Sequence, residues 1–568
     1  GVCTQKGGKH VDFVVNQITK KLIDMVLKKK KISLKAQHLK DHLFIFIKST
    51  ITNPTFDSQT KDNLTTPSSK FGGTKLEIDI KFIEKLYKSG IVEKAISLTT
   101  IDEDKNAKKT DGKKQSTVRV NKLDDANWAG TSKSGQCYLI LTEGDSAKTM
   151  AVSGLSEVGR DRYGVFPLKG KLMNVKDVKD PGKISNNEEI SNLKKILGLE
   201  NKKVYTDTND LRYGHIILMT DADVDGSHIK GLVMNLFHTL WPSLCKIDGF
   251  ITSIMTPIIK ATKGNKTEKF YNLTEYGNWR NTTGNQSGWN VKYYKGLGTS
   301  TSKEAKEYFK DLNILTYDYE ISKTDASLNL AFLGSMADER KTWIQNYDKE
   351  RIISYDKETC NRVGYSTYVD SDLIHFSVYN AERAIPNICD GFKKSIRKIM
   401  YSCFKRKLHS EIKVAQLAGY VSEHGAYHHG EASLQDAIIG MAQNYVGSNN
   451  INMLMPNGQF GSRIHGGHDN ASPRYIFTCL NPIVKYIFKE DDLDILTYLE
   501  EDGTTIEPEF YVPIIPTILV NGAVGIGTGY STNIPCYNPV DIISNLKLMI
   551  NDEEPLEISP WYRGFTGT

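Results

Sequence analysis

Five acidic side chains follow directly from two short apolar segments that the sequence predicts as buried strands. The strands are residues 138–141 and 216–219, and the acids are Glu143, Asp145, Asp221, Asp223 and Asp225. Because ligands of open α/β sheets lie at the carboxyl ends of the strands, we expect these carboxylates to converge. Clustered carboxylates repel one another unless a cation holds them, and Mg²⁺ binds one or two such oxygens together with phosphate and water. The pattern therefore predicts a magnesium site.

Two other interpretations of the second acidic segment compete with this one. Residues 221–226, Asp-Ala-Asp-Val-Asp-Gly, match the first six positions of an EF-hand, but the twelfth position holds Leu232 instead of Glu. A strand also precedes the segment where an EF-hand has a helix. The remaining alternative is an Asp-rich turn without an ion. Two strand-then-acid units in one chain favour the metal site over both.

The elements that position these acids form an α/β pattern with a mainly parallel sheet. Apolar residues recur at steps of three and four over residues 229–240, which predicts a helix that Pro242 ends. Residues 43–47, Leu-Phe-Ile-Phe-Ile, predict a buried strand. Residues 103–122 are rich in Lys, Asp and Thr and predict a flexible linker or loop, and residues 265–290 predict a polar loop.

Composition narrows the class of protein. At about 150 residues per domain, 568 residues suggest three to five domains, and a hydrophobic fraction of 39% excludes global disorder. The net charge of +6 permits a polyanionic partner without demanding one. None of the eight cysteines forms a C-x-x-C pair, which argues against zinc ribbons and fits a reducing compartment. No apolar run approaches the length of a membrane span, and the polar, basic start argues against a secretory signal.

Four motifs, in order, resemble the Toprim fold of type IIA DNA topoisomerases. They are Glu-Gly-Asp-Ser-Ala at 143–147, Pro-Leu-Lys-Gly-Lys-Leu-Met-Asn-Val at 167–175, the acidic segment at 221–226, and Tyr-Lys-Gly-Leu-Gly-Thr at 294–299. The resemblance implies Mg²⁺ at Glu143, Asp221 and Asp223, with Asp225 available to a second position. Mn²⁺ or Ca²⁺ are implied as substitutes that support binding.

The resemblance covers nearly all of the chain and implies an α/β and α+β multidomain fold. The expected divisions are the end of a GHKL-type ATPase or transducer domain at 1–70, a linker and lead-in at 71–134, a Toprim domain with insertions at 135–371, a winged-helix DNA-cleavage domain at 372–510, and the start of a tower domain at 511–568. The family's nucleotide pocket precedes such a chain and its exit gate follows, so we expect a fragment of a longer enzyme.

A candidate nucleophile lies in residues 458–480, where Ala-Ser-Pro-Arg-Tyr-Ile-Phe-Thr holds Arg474 and Tyr475. This segment resembles the one that carries the active-site tyrosine of eukaryotic-type topoisomerase II. Forming a phenolate at pH 7 costs about 4 kcal/mol, and an adjacent Arg lowers that cost and stabilises charge on a pentacoordinate phosphate. The plainer alternative is that Tyr475, one of 28 tyrosines, only packs.

A histidine-rich segment, His-Gly-Ala-Tyr-His-His-Gly-Glu at 424–431, lies upstream of the tyrosine. Its His-x-x-x-His spacing could bind zinc on a helix, but Gly425 and Gly430 and the lack of cysteine partners argue against zinc. The resemblance instead places His429 near the reacting phosphate, with His428 as its structural neighbour.

Residues 393–413 are strongly basic. A basic helix is often only a solvated surface, but this segment resembles the start of the family's winged-helix domain, which implies contact with DNA phosphates. The chain departs from the family there, since Lys394 and Ser395 replace the usual Pro-Gly and His468 and Asn470 are also unexpected.

The resemblance implies that Ile526, in a glycine-rich segment that is not a P-loop, wedges between base pairs; the alternative is a packed side chain. The full set of implied DNA contacts is Lys28, Lys29, Lys30, Lys171, Asn174, Lys295, Arg340, Lys341, Lys393, Arg397, Tyr427, Ser433, Arg463 and Ile526.

Residues 56–61, Phe-Asp-Ser-Gln-Thr-Lys, resemble the loop by which the family senses the γ-phosphate of ATP. The implied nucleotide contacts are Gln59, Thr60 and Lys61, and the implied cofactors are Mg²⁺ and, for the full-length enzyme, ATP.

The sequence thus predicts a type IIA topoisomerase that cleaves double-stranded DNA through Tyr475, passes a second duplex through the break and reseals it. The implied partners are a gate and a transported DNA duplex and a second copy of the chain, with no membrane. The implied location is the nucleus, or the host cytoplasm or nucleus if the source is a large DNA virus. Two rivals are a Toprim nuclease or primase, which would lack the Arg474–Tyr475 pair, and a DNA-bending scaffold, which would never cut.

Overall fold

The computed structural model describes residues 2–73, 76–283, 287–294, 296–297, 300–356, 360–501 and 504–567. The chain divides into two compact units, residues 1–324 with 354–365, and residues 325–353 with 366–568. Among the described residues, no helix is both long and apolar enough to cross a membrane.

The first unit contains a mixed sheet, a smaller sheet and several helices. Its strands are β1 Tyr138–Thr142, β2 Tyr163–Pro167, β3 His215–Met219, β4 Ile251–Ile254, β5 Ile259–Lys263, β6 Lys266–Phe270, β7 Asn290–Tyr293, β8 Ile314–Asp318 and β9 Arg362–Gly364. Its helices are α1 Lys9–Lys30, α2 Ala36–Lys40, α3 Ile80–Tyr87, α4 Ile91–Lys109, α5 Asp145–Val158, α6 Pro181–Ser185, α7 Glu188–Leu197, α8 Val224–Leu240, α9 Pro242–Cys245, α10 Leu273–Thr283 and α11 Ser302–Lys310.

The main sheet has the order β2-β1-β3-β4-β8-β9, and the first four strands are parallel. β8 runs antiparallel to β4. Four of the five residues of β1, and likewise of β3, are buried, as expected for parallel strands covered on both faces. The predicted parallel α/β pattern is confirmed, and so is the helix before Pro242, because α8 ends at Leu240.

The prediction of a polar loop at 265–290 is wrong. This region contributes β6, α10 and β7, and β5 pairs with both strands in a three-stranded sheet. Ile259, Ala261 and Phe270 form its small core, against which Tyr276 and Trp279 pack. A few aromatic side chains therefore supply the apolar area that the overall polarity of the segment conceals.

Two further sequence expectations differ from the structure. Residues 43–47 form no strand, and Phe44 and Phe46 are each 88% exposed. A strand needs a hydrogen-bonded neighbour, and no described strand pairs with this segment, whose Leu43 and Ile45 pack on the core of α1. The linker expected at 103–122 begins later than predicted, because α4 continues to Lys109 from a first half anchored by buried Val92 and Ala95.

The second unit is built mainly from helices with three short hairpins or strand pairs. Its helices, or those that run into it, are α12 Lys323–Phe332, α13 Ala337–Gln345, α14 Tyr365–Tyr368, α15 Ile374–Ala384, α16 Lys394–Lys405, α17 Val414–His424, α18 Glu431–Ala442, α19 Val484–Ile487, α20 Thr517–Val520 and α21 Pro539–Ile550. Its strands are β10 Ile412–Lys413, β11 Phe477–Thr478, β12 Tyr498–Glu501, β13 Thr504–Pro508, β14 Ala523–Ile526 and β15 Ser531–Ile534.

One apolar core unites α16, α17 and α18. Ile399, Leu417 and Ile438 are fully buried representatives of the three helices in this cluster. β10 pairs antiparallel with β11, so the residues just before β11 are tied to the start of α17. This core therefore supports the segment that carries Arg474 and Tyr475.

Candidate functional site

The register of β1 and β3 brings the first two predicted acids together. Thr142 lies opposite Met219 in this parallel pair, so Glu143 and Asp221 leave the sheet at the same edge. The backbone N–H of Asp221 donates to Glu143 Oε2 at 3.1 Å. The predicted convergence of acids from the two strand-then-acid units is therefore confirmed for this pair.

Burial and mutual repulsion perturb both carboxyl groups. Burial, with the neighbouring Asp221, Asp223 and Asp225 carboxylates, raises the pKa of Glu143 to about 7 despite the Asp221 N–H bond. Burial, with the charge of Asp223, also raises the pKa of Asp221, although the N–H of Leu297 donates to its Oδ1 at 2.7 Å. A nearby cation would remove this repulsion.

Asp223 and Asp225 make contacts of their own at the start of α8. Asp223 caps the helix, and its Oδ1 accepts a hydrogen bond from the N–H of Gly226 at 2.7 Å. Asp225 forms an ion pair with Lys171, with 2.5 Å between Oδ1 and Nζ. Asp145 pairs with Lys122 at 2.6 Å.

The oxygen-only donor set and the raised pKa values fit a hard divalent cation. Among the residues that the structure describes, however, no three acidic, histidine or cysteine side chains are grouped closely enough to hold a metal ion. The structure therefore supports the chemistry of the predicted ligands, and the complete ligand set stays a prediction.

The loops around the acidic edge approach it closely. A Cβ added at Gly296 would lie 2.8 Å from Asp221 Oδ2, so this loop can pass beside the carboxylate only without a side chain. Asn174, a predicted DNA contact, accepts hydrogen bonds at its Oδ1 from Asn235 Nδ2 and the N–H of Lys176. Lys295 lies outside the described residues.

Tyr475 is 70% exposed, although it precedes a buried strand. The flanking backbone is held in place, because the N–H of Ala415 donates to Pro473 O at 3.1 Å and the N–H of Val414 to Ile476 O at 3.0 Å. The Arg474 guanidinium lies 5.9 Å from the centre of the Tyr475 ring. This exposure excludes the alternative that Tyr475 only packs in the core, and it presents the phenol beside a cation.

His429 lies in the short segment between α17 and α18 and is engaged by a residue that the sequence analysis did not single out. The hydroxyl of Tyr379, on α15, lies 2.7 Å from His429 Nε2. The Tyr427 ring meets the His429 ring edge to face, with 5.4 Å between centroids. His428 Nε2 is hydrogen bonded to Glu501 Oε1. No motif marks Tyr379, since its partner is 50 residues away in sequence.

Arg397 differs from the exposed phosphate contact expected for it. Its side chain is 9% exposed, and its guanidinium donates through Nε to Asp390 Oδ2 at 2.7 Å and to the backbone oxygen of Phe392 at 3.0 Å. Lys393, at the N-cap of α16, is more exposed. The basic run therefore contains at least one cation whose role is internal.

Arg340 likewise differs from the expectation of an exposed contact. It is 8% exposed, and its guanidinium donates to the carbonyl oxygens of Leu330 and Leu333 at 2.8 and 2.6 Å. Its neighbour Lys341 is partly exposed and pairs with Asp338 at 2.8 Å. The physical reason is the same for Arg340 and Arg397. The planar guanidinium group carries several N–H donors, and in both residues these donors bond buried oxygen atoms instead of facing solvent.

The other predicted DNA contacts of the second unit are accessible. Ser433, in the first turn of α18, and Arg463 are exposed, and the guanidinium of Arg463 lies 5.9 Å from the Phe565 ring centre. Ile526, at the end of β14, is 81% exposed at the tip of the hairpin with β15. That exposure excludes the alternative of a packed core isoleucine.

The N-terminal lysines and the 59–61 loop are also at the surface. Lys30 pairs with Glu93 at 3.1 Å, the Lys29 ammonium lies 4.8 Å from the Tyr87 ring centre, and Lys28 is exposed. Gln59, Thr60 and Lys61 are exposed in a turn closed by the Lys61 N–H bond to Ser58 O. Thr60 donates to Asp62 at 2.9 Å, so the turn is preformed.

Family models match the chain in four consecutive stretches. Residues 1–116 match DNA gyrase B, 138–254 the Toprim domain, 254–381 the C-terminal associated domain of Toprim, and 383–568 the A subunit of DNA gyrase/topoisomerase IV. The Toprim match in such a chain indicates the use of a divalent metal.

Curated relatives and a solved structure are also similar to this chain. DNA topoisomerase 2 of Arabidopsis thaliana is 50% identical over 573 residues, which cover 100% of this chain and 39% of the relative. DNA topoisomerase 2-alpha of Mus musculus is 46% identical over 585 residues, covering 100% of this chain and 38% of the relative. The Plasmodium falciparum topoisomerase II DNA-binding, cleavage and re-ligation domain has a TM-score of 0.67 at 50% identity, covering 80% of this chain and 62% of that one. The chain spans about two fifths of the length of the curated relatives it matches.

The raised pKa of Glu143 predicts a pH-dependent effect on stability. Between pH 4.5 and about 7, the folded chain holds a proton on Glu143 that the unfolded chain has lost, so this group lowers stability as the pH rises. In buffer free of divalent cations, Glu143→Gln should therefore raise the free energy of unfolding at pH 8 by on the order of 1–2 kcal/mol after allowance for solvent screening. The gain should disappear below about pH 4.5, as denaturant titrations would measure.

The matched control is Glu157→Gln, which removes the same charge from an exposed position on α5. It should leave the free energy of unfolding unchanged at both pH values. A Glu143→Gln gain that is equal or larger at pH 4 would contradict the electrostatic interpretation.

Because Arg397 is buried in an ion pair with Asp390, we expect its removal to lower the stability of the fold and to leave the salt dependence of DNA binding unchanged. Removing one partner of a buried ion pair leaves an uncompensated charge, so Arg397→Ala should cost about 3–5 kcal/mol in urea titrations. Lys393→Ala should change stability by less than about 0.5 kcal/mol but lower the salt dependence of DNA binding by about one phosphate contact. If Arg397→Ala instead reduced the salt dependence of DNA binding and left stability unchanged, Arg397 would be a phosphate contact after all.

Proposed function

This chain belongs to the type II DNA topoisomerase family, and we propose that it carries the family's cleavage and resealing chemistry on double-stranded DNA. The observation that carries the proposal is the exposed Tyr475 beside Arg474, on a segment whose backbone is bonded to the start of α17. A nucleophile must be accessible to its substrate and held in place, and this tyrosine meets both requirements.

In the proposed reaction, the Tyr475 hydroxyl oxygen attacks a DNA phosphodiester and loses its proton. The new bond joins the tyrosine oxygen to the 5′-phosphate, the bond to the 3′-oxygen breaks, and that oxygen takes up a proton. Arg474 and His429 stabilise the negative charge that develops on the phosphate. Because the phosphotyrosyl bond retains the energy of the broken bond, attack by the 3′-hydroxyl reseals the strand without ATP.

The acidic edge of the main sheet is the proposed site of Mg²⁺. Glu143, Asp221 and Asp223 would hold the ion directly or through water, and Asp225 would be available to a second position. Mn²⁺ or Ca²⁺ could replace Mg²⁺ for binding. When bound, the ion supplies charge stabilisation to the phosphate and to the 3′-oxygen leaving group. The raised pKa values of Glu143 and Asp221 support this, since they reflect burial of the two carboxyl groups together with repulsion from neighbouring carboxylates, and a bound cation would favour the charged forms.

DNA would contact the exposed Ser433 and Arg463 and the partly exposed Lys393 and Tyr427, with Ile526 inserted between base pairs. In the whole protein we propose that two copies cut the two strands of a gate duplex and pass a second duplex through it, with ATP driving the gating. Gln59, Thr60 and Lys61 would then contact the nucleotide. The nuclear or viral location expected from the sequence stays a prediction.

Two rival functions make different use of these residues. A Toprim nuclease or primase would need the acidic edge alone, and a DNA-bending scaffold would need only Ile526 and the basic surface. Neither gives a role to an exposed tyrosine beside an arginine, which is why the topoisomerase reaction is favoured.

The first test is covalent capture of DNA. Mixed with end-labelled duplex and Mg²⁺ and then denatured with detergent, the chain should retain label, and Tyr475→Phe should retain none while binding DNA within a few-fold of the original. Tyr486→Phe is the matched control, because Tyr486 is also exposed and has the Lys485 ammonium 4.9 Å from its ring centre. Label that stays trapped on the Tyr475→Phe variant would overturn the assignment.

The second test concerns Ile526 and DNA bending. Because this side chain is exposed, Ile526→Ala should change the free energy of unfolding by less than about 0.5 kcal/mol. The bend angle, measured by energy transfer between dyes on the duplex ends, should fall, and cleavage should fall with it. Ile550→Ala, at a similarly exposed position on α21, should alter neither. An unchanged bend angle in Ile526→Ala would remove the intercalation proposal.

A further inference from the structure

The hydroxyl of Tyr379 reaches the proposed phosphate-stabilising histidine from a different helix. It lies 2.7 Å from His429 Nε2, a short and favourable distance for a phenol and an imidazole. Tyr379 comes from α15, whereas His429 lies in the connection between α17 and α18. The contact therefore ties a short connecting segment to a regular helix.

Two cations lie close to the Tyr379 ring. The Arg383 guanidinium, one helical turn along α15, and the Lys394 ammonium, in the first turn of α16, each lie 5.3 Å from the ring centre. Cations near an aromatic ring are attracted to its face and hold it in position. Positive charge beside a phenol also strengthens its hydroxyl as a hydrogen-bond donor, which favours donation to the imidazole nitrogen.

The backbone around His429 does not by itself fix the imidazole. Ala426 adopts a left-handed conformation with φ of 47°, and Gly430 is the N-cap of α18, so His429 sits between an irregular turn and a helix start. The Tyr427 ring contacts one side of the imidazole, and the hydroxyl of Tyr379 reaches its Nε2. Side-chain contacts therefore set the orientation of the ring.

We propose that Tyr379 is a positioning residue for His429 in the cleavage reaction. Its hydroxyl holds Nε2, fixes the plane of the ring and selects the tautomer in which Nδ1 carries the proton of the neutral imidazole. His429 is thereby presented with one defined donor when the phosphate accumulates charge. This inference rests on the proposed function and adds to it a residue that acts through His429 without touching DNA.

The test separates orientation from folding and from DNA binding. Tyr379→Phe deletes one oxygen and keeps the ring near both cations. In single-turnover capture assays at saturating DNA, we expect covalent complex to form about tenfold more slowly, the lower end of what losing an orienting hydrogen-bond partner costs. The dissociation constant for the duplex should stay within twofold, and the melting temperature should stay the same.

A matched control is Tyr347→Phe. The Tyr347 hydroxyl also bonds a histidine in the same unit, at 2.8 Å from His375 Nδ1, but neither residue has a role in the proposed reaction. It should leave the capture rate unchanged. If both variants slow capture to the same extent and both lower the melting temperature, the Tyr379 effect is structural and the proposal is overturned.

A double-mutant cycle gives the deciding readout. If Tyr379 acts through His429, the Tyr379→Phe and His429→Ala double variant should capture DNA no more slowly than His429→Ala alone. Independent, multiplicative losses would overturn the proposal, and so would a Tyr379→Phe rate equal to the original. Failure of the proposed function looks different, because then the unaltered chain would trap no DNA or Tyr475→Phe would trap it.

Discussion

The register of one parallel strand pair is the constraint on which the acidic site depends. Thr142 lies opposite Met219, so the carboxylates that follow β1 and β3 emerge at the same edge and the Asp221 N–H can bond Glu143. A shift of one residue would turn every side chain of the strand to the opposite face and separate these groups. The buried strands thus place Glu143 where burial, and then the neighbouring carboxylates, raise its pKa to about 7.

In the second unit, the buried Asp390 is the residue to which several segments are hydrogen bonded. This fully buried carboxylate accepts from the Arg397 guanidinium and from the backbone N–H groups of Phe392 and Tyr511, and its own carbonyl accepts from Thr517. A buried charge is tolerated only when its hydrogen-bonding capacity is satisfied in this way. These bonds fix the start of α16 to the segments that contain Tyr511 and Thr517, and so they hold the backbone that carries Lys393 and Lys394.

Sequence reasoning succeeded where the signal is local and repeated. The apolar runs of β1 and β3 and the helical spacing of α8 are local patterns, and all three elements are found where expected. It failed where the outcome depends on a distant partner. Residues 43–47 have the composition of a strand but pair with no described strand. The sequence does not distinguish Arg397 from the exposed basic residues 405–407 of the same segment, and only the fold places Asp390 beside it.

The Tyr379–His429 contact also joins residues that are distant in the sequence, so no local pattern predicts it. A tyrosine in an amphipathic helix is usually a packing residue, and nothing within α15 indicates that its hydroxyl meets a histidine between two other helices. The candidate reacting groups of this unit, Tyr475 and His429, lie outside regular elements, and partners on regular elements fix their positions. Tyr475 is held through backbone bonds to the start of α17, and His429 through a side chain of α15. Motifs therefore indicate the candidate reacting groups, whereas the fold identifies the residues that hold them in place.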